Sequence, residues 1–179
     1  MSAWLAQHLI VLDESGAHLG MTSLYGRALG GQRVKCASPL NKGLRISIIA
    51  AISVRGVEAA LYGNWATDTT IFKQFIEKQL LPRLSTNSLV IYDNISFHKN
   101  KEVIALIQST GARVEFLPGY SPDLSPIELM WSKIKHYLRR LAPRNFKEFK
   151  KAISLAFHTI THKNLISWFK HCGYNTNTI

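Results

Sequence analysis

Leu89-Val90-Ile91-Tyr92 is a run of four apolar residues with no polar position to turn toward water. The run reads as a fully apolar strand, buried on both faces, and a sheet covered by helices on two sides is the natural architecture for it. His8 to Leu12 reads as a second short buried strand. Both runs are followed at once by an aspartate, Asp13 in one case and Asp93 in the other.

The remaining periodicities fill in that sheet. Residues 16–31 are glycine-rich and read as turns with a short strand. Arg45 to Val54 is a strand, Arg55-Gly56 a two-residue turn, and Val57 to Tyr62 its hairpin partner. A helix follows, capped by Thr67 or Asp68, with Ile71, Phe72, Phe75, Ile76 and Leu80 at helical spacing and Pro82 at its end. Val103, Ile104 and Ile107 mark another helix, which Gly111 stops, and Arg113 to Leu117 is a strand. A loop with three prolines leads into an amphipathic helix from Ile127 to Leu141. Two further helices fit 146–160 and 164–171, with Gly173 as a stop. Early strands joined by hairpins run antiparallel, and later strands joined through helices run parallel. The expected fold class is therefore α/β, a mixed five-stranded sheet flanked by helices, in one domain over residues 1–179.

Composition narrows the function. No apolar run approaches the roughly 20 residues of a membrane helix, and no signal peptide precedes the first strand, so a cytoplasmic protein is expected. Cys36 and Cys172 are too few for a disulfide framework or a Cys-type zinc site. The net charge of +11 is concentrated at one end. Residues 129–179 hold ten Lys/Arg and a single acid, Glu148. Such a basic portion suits a phosphate backbone, whose counterions it displaces, and the simpler alternative is a solvated surface.

Asp13 and Asp93 each follow a strand, and Glu128 lies in the first turn of a helix. Sites in α/β sheets form beyond the carboxyl ends of strands, so neighbouring strands would bring the two aspartates together. A few carboxylates suit Mg²⁺, and two such ions can drive in-line displacement at phosphorus. Each acid has a local alternative. Asp13 also fits a turn with Glu14, Ser15 and Gly16, and Asp93 an Asx-turn with Asn94. Ser125-Pro126-Ile127-Glu128 reads as a capping box, and Asp123 competes for the place of third carboxylate. Ser132, Lys135 and Arg139 share the helical face of Glu128, where they either grip DNA phosphates or simply face solvent.

Three blocks carry a family resemblance. Asp13 to Gly16, then Tyr92 to Lys99, then Leu117 to Glu128 (LPGYSPDLSPIE) resemble the signature blocks of DDE transposases, nearest to the mariner-related bacterial insertion sequences. The 34 residues between Asp93 and Glu128 suit that group. Shorter likenesses, including Trp168-Phe169 and Gly173-Tyr174, extend over nearly the whole chain. Ser125 stands where the family usually has Asn.

The resemblance implies a ribonuclease H-like fold and a catalytic site in which Asp13, Asp93 and Glu128 hold Mg²⁺ or Mn²⁺, two ions during catalysis. It turns the reading of Glu128 toward metal. It implies cleavage of DNA at insertion-sequence ends, then strand transfer into target DNA, commonly at TA. Asn94 and His98, in the second block, either orient substrate phosphate and support Asp93 or form a local turn. Trp131 reads as core rather than as a base-stacking surface. Only seven residues precede the first strand, so the helix-turn-helix region that reads element ends is expected to be absent here and encoded upstream. The implied partners are DNA, that upstream region and a second copy of the chain, in a nucleoid-associated setting. Competing readings are an inactive DNA-binding remnant and a ribonuclease H-like host nuclease.

Overall fold

The computed structural model describes residues 6–93, 100–119 and 121–176. Five strands, β1 (Leu9–His18), β2 (Arg45–Ile52), β3 (Val57–Gly63), β4 (Leu89–Tyr92) and β5 (Arg113–Phe116), form one sheet in the order β3-β2-β1-β4-β5. The first three pair antiparallel, while β4 runs parallel to both β1 and β5. The mixed five-stranded sheet expected from the sequence is thus present.

Side chains alternate between the two faces of a strand, and the central strands are apolar on both. Leu9, Val11, Ile46, Ile48, Ala50 and Ile52 point to one face, Ile10, Leu12, Ile49, Ala51, Val90 and Tyr92 to the other. The second face is covered by α1 (Thr69–Phe75), whose last turns continue as a π turn to Leu80, and by α2 (Lys101–Gln108). Asp68 caps α1 by accepting from the Ile71 N–H, and Asn100 caps α2 by accepting from Glu102 and Val103. Gly111 ends the α2 segment at φ +81°, a left-handed conformation that a side chain strains.

The first face is covered by α3 (Pro126–Leu141), α4 (Phe146–His158) and α5 (His162–His171). Helix α3 docks through Ile127, Met130, Trp131, Ile134 and Leu138, all essentially buried. At about 2 kcal/mol per buried side chain, that stripe decides where α3 lies. Lys133 fastens it to the next pair, donating to the Thr159 carbonyl and to Asn164 Oδ1, both at 2.6 Å.

Two local expectations change. β1 does not end at Leu12 but runs through Asp13 to His18, because β2 stays paired with it from Val11↔Ile52 to His18↔Arg45. The β2–β3 turn centres on Val54-Arg55, closed by reciprocal Ser53–Gly56 backbone hydrogen bonds, one residue earlier than the sequence reading. A register shift between Ala51 and Ile52 moves it. From Met21 to Leu44 the chain forms no helix or strand and is largely exposed beyond Thr22.

Candidate active site

Strand pairing brings the two aspartates level. β1 and β4 pair as Leu9↔Leu89, Ile10↔Val90 and Val11↔Ile91. Two residues further in the same register stand Asp13 and Asp93. Face alternation adds that both follow Leu9 and Val11, or Leu89 and Ile91, onto the face that α3 covers. Asp13 itself pairs with Ala50 on its other flank. It therefore lies inside the sheet on the β2 side, where its backbone is held, and beyond the sheet on the β4 side. There the strands part and a cleft opens.

That cleft, of about 460 Å³, is lined by Leu12, Asp13, Asp93 and Glu128, with Leu117 to Gly119, Ser121, Pro122 and Ser125 from the proline-rich loop. Asp13 and Asp93 are half-buried, and Glu128 is exposed in the first turn of α3. Asp123, the competitor for third carboxylate, is exposed and lies outside the lining.

The capping box does not form. Ser125 is the N-cap residue of α3, yet its side chain makes no cap bond, and only the backbone Glu128 N–H reaches the Ser125 carbonyl at 3.1 Å. The reason is local geometry: the helix starts on Pro126, and Ser125 sits buried at the end of a 3₁₀ turn over Pro122–Leu124. Glu128 is thereby left to face the cleft. The loop ahead of it is pinned from afar, since the Tyr174 hydroxyl donates to the Leu124 carbonyl at 2.9 Å. That contact gives Gly173-Tyr174 a role that spacing alone did not reveal.

Burial pushes the Asp13 carboxyl up to about 7. Hydrogen bonds from the Trp131 indole and the Glu14 backbone pull it down, and the charges of Glu14 and Glu128 raise it further. Among the described residues no lysine or arginine acts on it. Trp131 Nε1–H donates to Asp13 Oδ2 at 2.9 Å. The ring is core, as its helical position predicts, but its polar edge belongs to the site, which the sequence reading missed. The available signal was its place three residues after Glu128 on the inner face of the helix.

The donor set is all oxygen and anionic, the chemistry that Mg²⁺ or Mn²⁺ takes and that zinc or soft metals do not require. Asp13 and Asp93 are half-buried, and among the described residues that line the cleft none is cationic, a charge balance that a divalent ion would relieve. Among the described residues, no three His, Cys, Asp or Glu side chains are gathered into a finished metal-binding group. Like charges held at low dielectric stay apart until a cation joins them. Glu128, exposed on the cleft rim, has the side-chain freedom to close that distance.

Lys135 and Arg139 lie on α3, half-buried, about 10 and 16 Å beyond Glu128 along the axis. They do not line the cleft but extend from its edge. Asn94 and His98 fall outside the described residues. Both side-chain ion pairs among the described residues, Arg55–Glu58 and Lys73–Glu102, lie before residue 129. In the basic C-terminal portion the single acid, Glu148, is engaged by Arg144, which leaves the ten Lys/Arg there in large excess over acid. No described helix is long and apolar enough to cross a membrane.

The family model for the DDE superfamily endonucleases matches residues 8–151. No curated protein sequence matches the chain. Solved structures share its fold at low sequence identity. The mariner Mos1 paired end complex with Mg superposes at a TM-score of 0.74 and 14% identity, covering 93% of this chain and 54% of that one. The paired end complex with Mn gives 0.72 at 15%, covering 94% and 52%. The Mos1 transposase catalytic domain with Raltegravir and Mn gives 0.70 at 12%, covering 94% and 80%. The chain thus spans about half the length of the Mos1 chains in the paired end complexes. The sheet and its flanking helices form the ribonuclease H-like architecture of those catalytic domains. By the family model and the fold together, this chain belongs to the DDE superfamily endonucleases.

Proposed function

We propose that this chain is the catalytic domain of a mariner-related insertion-sequence transposase, which cleaves DNA strands at element ends and joins them to target DNA. The observation that carries the reading is one cleft lined by Asp13, Asp93 and Glu128 from three separate elements. These three are the catalytic residues of the proposal and the ligands for Mg²⁺ or Mn²⁺, with two ions during catalysis. The chemistry such ions supply is activation of the attacking hydroxyl and neutralisation of the leaving oxygen at phosphorus.

The chain's own residues do the rest. Asp13, anchored in β1, and Asp93, at the end of β4, provide the fixed side of the site. Glu128 approaches from the opposite wall. Lys135 and Arg139 hold the phosphate backbone that leads into the cleft, and Asn94 and His98 orient the phosphate beside Asp93. The reading extends to a dimer on paired ends and to an upstream-encoded helix-turn-helix region for end recognition. Its support is the likeness to one half of a chain solved in paired end complexes. A bacterial, nucleoid-associated setting goes with it.

The test is plasmid nicking and oligonucleotide strand transfer by the purified chain. Activity is expected with Mg²⁺ or Mn²⁺, to vanish with EDTA and in Asp93→Ala. Metal-dependent activity that survives Asp93→Ala overturns the assignment. Salt-sensitive DNA binding with no nicking under any metal condition points instead to a non-enzymatic remnant.

A further inference from the structure

We infer that Trp131 is a positioning residue for the metal site: its indole N–H fixes the orientation of the Asp13 carboxylate and ties it to the helix that carries Glu128. The inference rests on the assignment of Asp13 as a metal ligand.

Trp131 is 2% exposed and donates to Asp13 Oδ2 at 2.9 Å across 118 residues of sequence. An indole has one donor and no acceptor, and a buried one needs a partner. A core position asks only for an apolar ring of the right volume. Here the ring also brings an N–H, and that N–H is directed at a carboxylate of the cleft.

The geometry gives the contact two consequences. One concerns distance. Glu128 and Trp131 are three residues apart on α3, joined by hydrogen-bonded helix, and the indole has only two side-chain torsions, both confined by packing. Asp13 is held in turn by β1. Carboxylate, indole and helix make one rigid path from Asp13 to the backbone of Glu128, so the span a cation must bridge depends on Glu128's own torsions. The other consequence concerns orientation. With Oδ2 accepting from the indole and the carboxylate also accepting from the Glu14 backbone, the plane of the Asp13 carboxylate is held, and with it the lone pairs that would be left for a cation. Mg²⁺ demands near-ideal octahedral angles, so the direction of those lone pairs matters. Partners behind a ligand commonly govern metal affinity by about 10–100-fold.

The test measures Mn²⁺ affinity of the full chain by electron paramagnetic resonance, with no DNA present. The variants are Trp131→Phe, Trp131→benzothienylalanine (sulfur in place of N–H, shape retained), Asp13→Asn, and Asp13→Asn combined with each Trp131 change. Both single Trp131 variants should bind Mn²⁺ about 10–100-fold more weakly. Neither should weaken Asp13→Asn further, which a merely structural role would do. The Trp131 indole NMR resonance should shift on adding Mg²⁺ in the wild type and stay fixed in Asp13→Asn. Wild-type affinity in the benzothienylalanine variant, alongside lost affinity in Asp13→Asn, overturns the inference. Wild-type affinity in Asp13→Asn overturns the underlying site assignment instead. If Trp131→Phe fails to fold, the isosteric variant decides alone.

Discussion

Asp13→Asn should make the metal-free protein more stable at pH 8 than the wild type. Asp13 has a folded pKa of about 7 against 3.8 for the free group, and burial is the main cause. A raised folded pKa means that the folded state holds the proton more tightly. The associated stability is complete below about pH 4 and is lost as pH rises through 7. Roughly three pK units correspond to about 4 kcal/mol, the limiting cost of ionising Asp13 in the fold. Asn carries no charge and keeps an oxygen to accept from the Trp131 indole. The variant should therefore gain up to about 4 kcal/mol at pH 8, about 1.7 kcal/mol at pH 5 and almost nothing near pH 3. For a chain of this size each kcal/mol moves Tm by about 2–4 °C, so the shift at pH 8 should be about 8–16 °C. Thermal unfolding followed by circular dichroism in EDTA across that pH range measures it. Adding Mn²⁺ should narrow the gap, since ion binding stabilises the wild type more than the variant, and reverse it only where free ion exceeds about 1,000 times Kd. A variant no more stable than wild type at pH 8, or a gain independent of pH, refutes the reasoning.

Glu128→Gln should leave urea stability within about 0.5 kcal/mol, because the side chain is exposed and caps nothing, while metal-dependent nicking is lost. Ser125→Ala should fall well short of the ~1 kcal/mol that a working N-cap is worth, a cost expected in full for Asp68→Ala, whose carboxylate accepts from Ile71 at 2.8 Å. Tyr174→Phe should cost about 1 kcal/mol by freeing the Leu124 carbonyl, measurable as a lowered urea midpoint. Lys135→Ala with Arg139→Ala should weaken binding to all duplex sequences alike and reduce the slope of log affinity against log salt by about 2. A sequence-selective loss would count against phosphate contact.

Much of the fold is legible in the amino-acid order because its signals are local. Leu89 to Tyr92 reads as a doubly buried strand, Asp68 sits where a helix needs its cap, and Gly111 and Gly173 adopt the positive φ of helix ends, whereas the sequence reading missed the Asn100 cap of α2. Three short blocks, met in order along the chain, also name the acids to watch. What lay beyond that reading depends on groups far apart in sequence. Whether Asp13 ends a strand or sits within one is settled by β2, more than thirty residues away. Whether Ser125 and Glu128 cap each other or part is settled by how the proline-rich loop is buried, and Asp123 drops out because that same loop turns it outward. The Trp131–Asp13 contact needs the register of β1, the face alternation of its side chains and the docking of α3 to be right together. Periodicity records which face a residue takes within its own element; only the packed sheet and helices decide which residue it meets there.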